Sequence, residues 1–100
     1  MIKNNISLLG LANKAGKVVS GGFMTERAIM TGEACFVIIA EDASPNTKKK
    51  FTNKCKYHEV PFVIYGNMTE LGHLIGKEDR TTIAVTDPGF GNQFIKSFDL

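Results

Sequence analysis

Cys55 and His58 stand three residues apart on a predicted helix, and Cys35 and His73 could complete a set of four metal ligands. Structural zinc sites usually present their cysteines and histidines as close pairs, and no such pairing occurs here. Cys35 also opens a long apolar run, which suits packing better than ligation. No metal is therefore expected. A Cys–His nucleophile meets the same objection, because nothing is placed to orient the base. Glu41-Asp42 closes that apolar run as the acids of a magnesium or phosphoacceptor pocket would. Such a pocket needs a second acidic cluster after another strand. The first predicted strand ends in Ser20-Gly21-Gly22, which carries no carboxylate, and Asp87 is the one other candidate. Capping and solvating a turn is the favoured role for these acids.

Anion chemistry is better represented. Lys17-Val18-Val19-Ser20-Gly21-Gly22 resembles glycine turns whose backbone N–H groups meet a phosphate at a helix start. The Walker pattern is absent, since no Gly-Lys-Ser/Thr follows. What remains is a glycine-bounded helix start with Arg27 one turn in. A second element is Ser44-Pro45-Asn46-Thr47-Lys48-Lys49-Lys50, where Ser44 reads as an N-cap, Pro45 as the first helical residue, and three cations follow. Macrodipole preference would place acids there instead. The third is the loop Gly66-Asn67-Met68, a source of backbone donors and an apolar contact for an unstacked base. Together these suit irregular RNA better than duplex DNA. Lys17, Arg27, Lys48 and Lys49 are the cations expected to neutralise its backbone.

The elements that must position these residues alternate between helix and strand. A first helix is expected from about Asn4 to Lys14, with Leu8, Leu11, Ala12 and Ala15 at helical spacing and Gly16 as its stop. Lys17–Ser20 reads as a short strand and Phe23–Thr31 as the second helix. Cys35–Ala40 is an uninterrupted apolar run, β-branched in its middle, and reads as a strand buried on both faces. The helix from Pro45 to about Tyr57 carries Phe51, Cys55 and His58 on one stripe. Val60–Tyr65 is the third strand, with Pro61 tolerated at its start. Thr69 is expected to cap a helix that buries Leu71, Leu74 and Ile75. Lys77–Arg80 is a charged turn, Thr82–Thr86 the fourth strand, and Asp87-Pro88-Gly89 a break. Phe90, Phe94 and Phe98, four apart on a last helix, should plug one side of the sheet. This alternation calls for an α/β fold with helices on both faces.

The 100 residues make one domain, with 43% hydrophobic and 22% charged residues, as in an ordinary globule. No run is long enough to span a bilayer, and Met1–Asn5 has no signal-peptide layout. The two cysteines fall on predicted core elements, so a reducing, cytoplasmic setting is expected. Net charge is +2 but unevenly placed: residues 1–60 hold nine Lys/Arg against five Asp/Glu, and residues 61–100 hold three against five. A polyanion partner would meet the first half.

Certain residues, in order, resemble a family. They are Gly21-Gly22, Arg27-Ala28-Ile29 and Gly32; Val37 through Pro45; Val60-Pro61-Phe62-Val63; Glu70-Leu71-Gly72; and Ile83 through Gly89. This order is similar to that of the ribosomal "L-seven-Ae" family of kink-turn RNA-binding proteins. Leu9 through Lys17, with Ser20-Gly21, resembles its bacterial YlxQ-like branch. The resemblance implies a three-layer α/β/α sandwich around a four-stranded mixed sheet, no catalysis and no cofactor. It implies a single RNA-binding domain over residues 1–100, a structured RNA partner such as a ribosomal kink-turn, and association with the ribosome rather than a membrane. Its RNA surface, carried over by position, would comprise Gly21, Gly22, Phe23, Met24 and Arg27, then Ser44 to Lys48 with Asn46 and Thr47, then the loop Val63 to Asn67 with Tyr65 and Gly66; Lys17 and Lys49 join it as the cations named above. In one place the chain departs from the pattern. Where kink-turn binders carry Asn-Glu to read sheared G·A pairs, it has Phe23-Met24, and neither side chain can hydrogen-bond to a base edge. The usual fate of such a Phe on an amphipathic helix is the core. An alternative follows: a protein-interaction module on the same fold, which would expose an apolar patch at Phe23-Met24. A third reading, an acid-based enzyme, requires Glu41, Asp42 and Asp87 to converge.

Overall fold

Phe36–Ile39 forms β2, and none of its four side chains reaches solvent. The reason is its place in the sheet. In the computed structural model, which describes residues 6–100, β2 lies between β4 (Thr82–Val85), which is antiparallel to it, and β3 (Phe62–Ile64), which is parallel. β1 (Val18–Ser20) pairs antiparallel with the outer side of β4, so the strand order is β1-β4-β2-β3. The two inner strands are buried on both faces and read as continuous apolar runs, while the three-residue edge strands are only half-buried. The third strand is therefore shorter than Val60–Tyr65. Val60 and Pro61 lead into it, and Tyr65 leaves it with its N–H donated to Ile39.

Helices cover both faces. α2 (Gly22–Met30) packs on β1 and β4 and against α3 (Pro45–Tyr57). On the other face α5 (Pro88–Ser97) packs on β2 and against α1 (Leu8–Lys14), with α4 (Met68–Leu74) beside α1. This is the three-layer α/β/α sandwich. The phenylalanine repeat does plug one face: the Phe36 ring stacks on Phe94 at 5.4 Å and on Phe98 at 6.1 Å. Two glycines permit close approach. A Cβ on Gly72 would collide with the Glu78 carbonyl, and one on Gly91 would sit 2.9 Å from Cys35 Cβ.

Side-chain caps set several helix starts. Ser44 Oγ accepts from Thr47 N–H at 3.1 Å with Pro45 in the first turn, as its sequence suggested. Asp87 does the same for Phe90 N–H at 3.0 Å. The cap of α4 is Asn67, whose Oδ1 accepts from Glu70 N–H at 2.7 Å, and not Thr69, whose hydroxyl meets Asp79 instead. Two packing stripes also differ from expectation. In α1 the buried set is Leu8, Leu9 and Ala12, and Leu11 is 61% exposed. In α3 Phe51 and Cys55 are buried, whereas His58 lies exposed at the C-cap. The expected start of the first helix at Asn4 lies outside the described residues.

Candidate nucleic-acid interface

Strand direction decides what the loops can do. Ser20 pairs with Ile83, Ile39 with Thr82, and Ile39 with Ile64. The C-terminal ends of β1, β2 and β3 thus meet the N-terminal end of β4 at one edge of the sheet. The loops carrying Gly21-Gly22, Glu41–Ser44 and Tyr65–Asn67 all leave from that edge. They are stitched together there. Gly21 N–H donates to Thr82 O at 3.0 Å and Ala40 N–H to Thr81 O at 2.8 Å. Glu41 N–H donates to Gly66 O at 2.7 Å, and Asp42 Oδ1 accepts from Met68 N–H at 2.9 Å. Gly21 and Gly66 have φ of 89° and 72°, a backbone that side-chain-bearing residues rarely adopt.

Gly21 has no side chain to cap α2. The N–H groups of Gly22, Phe23 and Met24 come before any intrahelical acceptor is available. They form a donor set of the kind that takes an anion at a helix N-terminus. Lys48 Nζ donates to Glu41 O at 2.8 Å, which holds that ammonium over the Glu41–Ser44 loop. Lys49 and Asn46 are exposed, and Thr47 is half-buried with its hydroxyl 2.9 Å from Ser44 Oγ. Asn67 is exposed, with its carbonyl oxygen engaged in capping.

Several expected contributors lie elsewhere. The lysine triplet does not act as a unit, because successive helical residues splay by about 100°. Lys50 turns to the α2–α3 seam, where it and Lys54 hold Glu26 at 3.1 and 3.3 Å. The Lys50 ammonium, then that of Lys54, holds the Glu26 carboxyl below its ordinary pKa. Lys17 precedes β1, at the opposite edge of the sheet, where its carbonyl accepts from Thr86 N–H. The Tyr65 ring packs edge-on against Phe98 at 5.1 Å rather than standing free. Met68 is not a loop residue but the first of α4, packed against the core.

Phe23 departs furthest from expectation. The inward stripe of α2 is Thr25, Ala28 and Ile29, which turns Phe23 outward to 76% exposure. Met24 and Met30 are exposed at 41% and 55%. Phe23, Glu26, Arg27, Met30 and Thr31 line a groove of about 380 Å³ along the outer face of α2.

Arg80, which the sequence places in a charged turn, is a structural tie. Its Nε donates to Ser20 Oγ at 3.1 Å and its Nη1 to Asp79 O at 2.9 Å, while its N–H donates to Met68 O. It ties the end of β1 to the α4–β4 turn. Its partner Ser20 is 60 residues away, so no local pattern signals the role.

The acids do not converge. Glu41 and Asp42 follow the C-terminal end of β2, and Asp87 follows that of the antiparallel β4, so they sit at opposite edges of the sheet. Asp42 and Asp87 are occupied as caps. Among the described residues, no group of three or more His, Cys, Asp or Glu is placed to hold a metal ion.

The chain is thus an α/β/α sandwich whose loop-bearing edge carries the Lys48 ammonium and the uncapped start of α2. Comparison with known proteins makes the class specific. The chain belongs to the Ribosomal protein L7Ae/L30e/S12e/Gadd45 family, whose model matches residues 4–95. It is 49% identical over 92 residues to the RNA-binding protein YlxQ of Bacillus subtilis (strain 168), covering 92% of each chain. A solved structure, that of a protein with unknown function from Bacillus halodurans C, superposes with a TM-score of 0.90 at 37% identity, covering 95% of this chain and 96% of that one. The Giardia lamblia 15.5kD RNA binding protein shares the fold, with a TM-score of 0.81 at 20% identity over 90% of this chain and 80% of that one.

Proposed function

We propose that this chain is a non-catalytic, cytoplasmic RNA-binding domain that grips sharply bent RNA of the kink-turn type, in the setting of the ribosome. The observation that carries the reading is the stitched edge. Glu41 N–H donates to Gly66 O, and the N–H groups of Gly21 and Ala40 donate to Thr82 O and Thr81 O at the start of β4, so three separate loops are tied to one side of the sheet. Open N–H groups at the start of α2, with Arg27, Lys48 and Lys49, present donors and positive charge to a phosphate backbone. Family membership and the similarity to an RNA-binding protein of Bacillus subtilis support the same partner class. Arg27 stands at the basic position of the family pattern and serves a phosphate or a guanine.

The test is a titration against a kink-turn RNA and a straight duplex of equal length, repeated across salt concentration. Preference for the bent RNA is expected. Equal, salt-steep binding to both would reduce the reading to generic RNA affinity. Failure to bind either would favour the protein-interaction module, for which the exposed Phe23, Met24 and Met30 are the supporting observation.

A further inference from the structure

The groove on the outer face of α2 begins where the stitched edge ends. Phe23 stands in the first turn of the helix, beside the open N–H groups, and is 76% exposed. Arg27 is one turn further on the same stripe, and Met30 closes the far end. With Met24 and Met30 also exposed on this helix, Phe23 belongs to an apolar patch of the kind that marks an interaction site. Several occupants would cover it: an apolar peptide side chain, a second copy of this chain, or a base. The charges discriminate among them. Glu26 also lines the groove, but its carboxylate is held by Lys50 and Lys54 of α3 and presents no unopposed negative charge. Thr31 spends its hydroxyl on the Arg27 carbonyl. The Arg27 guanidinium is exposed and enters no salt bridge among the described residues. An aromatic face with an uncompensated guanidinium one turn away, continuous with a cationic edge, suits a nucleotide: a π-face beside an anion.

We propose that this groove seats one unstacked nucleobase, with the ring on Phe23 and the adjoining phosphate on Arg27. The inference rests on the RNA-binding reading above and adds how the bases are met. Phe23 and Met24 cannot read a base edge, but a ring face accepts any base. Recognition at this helix start then runs by stacking, tolerant of sequence but intolerant of a missing base.

The experiment pairs protein variants with abasic RNA. Wild type, Phe23→Ala and Phe23→Trp are titrated against a kink-turn duplex, and against the same duplex with each bulge nucleotide in turn made abasic. Phe23 is surface-exposed, so the variants should fold, and thermal melts check this. Phe23→Ala is expected to weaken binding to the intact RNA by about 5- to 150-fold, the range for one base–aromatic stack. Phe23→Trp should retain affinity. At one bulge position the abasic RNA should bind wild type and Phe23→Ala alike. If Phe23→Ala binds as wild type does, or loses the same factor on every abasic RNA, no base is seated there and the proposal falls while RNA binding stands. If wild type binds no RNA, both fall. If wild type self-associates in sedimentation through Phe23 while the variant keeps full RNA affinity, the groove takes protein and the proposal fails.

Discussion

Replacing Arg27 with alanine should flatten the salt dependence of RNA binding by a calculable step. Each phosphate neutralised on duplex nucleic acid contributes about −0.9 to the slope of log affinity against log salt. The structure restricts which cations count. Lys48 is held over the Glu41–Ser44 loop by the Glu41 carbonyl, and Lys49 and Arg27 are exposed and enter no salt bridge among the described residues. Lys50 is committed to Glu26, and Lys17 lies at the opposite edge. Three phosphate contacts give a slope of about −2.7, or a loss of about fortyfold in affinity between 50 and 200 mM salt. Arg27→Ala should bring the slope to about −1.8 and the loss to about twelvefold. Lys17→Ala and Lys50→Ala should leave the slope where it was. The assay is a fluorescence-anisotropy titration at four or more salt concentrations, with one labelled kink-turn RNA and the four proteins. An unchanged slope in Arg27→Ala would refute the assignment of Arg27 to a phosphate. A drop of equal size in Lys17→Ala would refute the geometric argument that separates the two edges of the sheet.

Other substitutions test the scaffold. Gly72→Ala drives a methyl group into the Glu78 backbone and should cost about 2 kcal/mol or more, lowering the melting temperature by roughly 10 °C in a calorimetric scan. Asn67→Ala removes the α4 cap and should cost about 1 kcal/mol by urea midpoint, whereas Thr69→Ala should cost less. Burial pushes the Cys55 thiol up to about 12, so at pH 8 only about one thiol in ten thousand is ionised. Because the raised value suppresses thiolate until strongly basic pH, Cys55 should resist a disulfide reagent in the folded protein and react freely in denaturant. Rapid native labelling of Cys55 would contradict its burial.

The layered architecture was readable because its signals are local. The run Phe36–Ala40 is too apolar to be anything but interior, and Ser44-Pro45 marks a helix start within two residues. The misses are choices that only distant partners make. Asn67 and Thr69 are both competent caps two residues apart, and Asp42, holding the Met68 N–H from another loop, accompanies a helix that starts at Met68. Leu11 fits a helical stripe, but α1 docks through Leu8, Leu9 and Ala12 instead, leaving it outside. Phe23 reads as core by type, and only the seating of Thr25, Ala28 and Ile29 turns it outward. The convergence of Gly21, Ser44 and Gly66 needed the strand order, which no local pattern reveals. Three adjacent lysines look like one patch in a string of letters, yet helical rotation sends one of them to a different neighbour.

The strand that joins the two halves of the sheet is the last one to be synthesised. β4 pairs Val85 with Val18 on one side and with Phe36 on the other. Until it leaves the ribosomal exit tunnel, a nascent chain has no partner for β1, and β2 keeps one flank open. Translation must therefore run past Val85 before the sheet can close. A chaperone meeting this polypeptide earlier would find the Phe36–Ile39 segment lacking its β4 neighbour, and ribosome pausing before Thr82 should prolong that exposure.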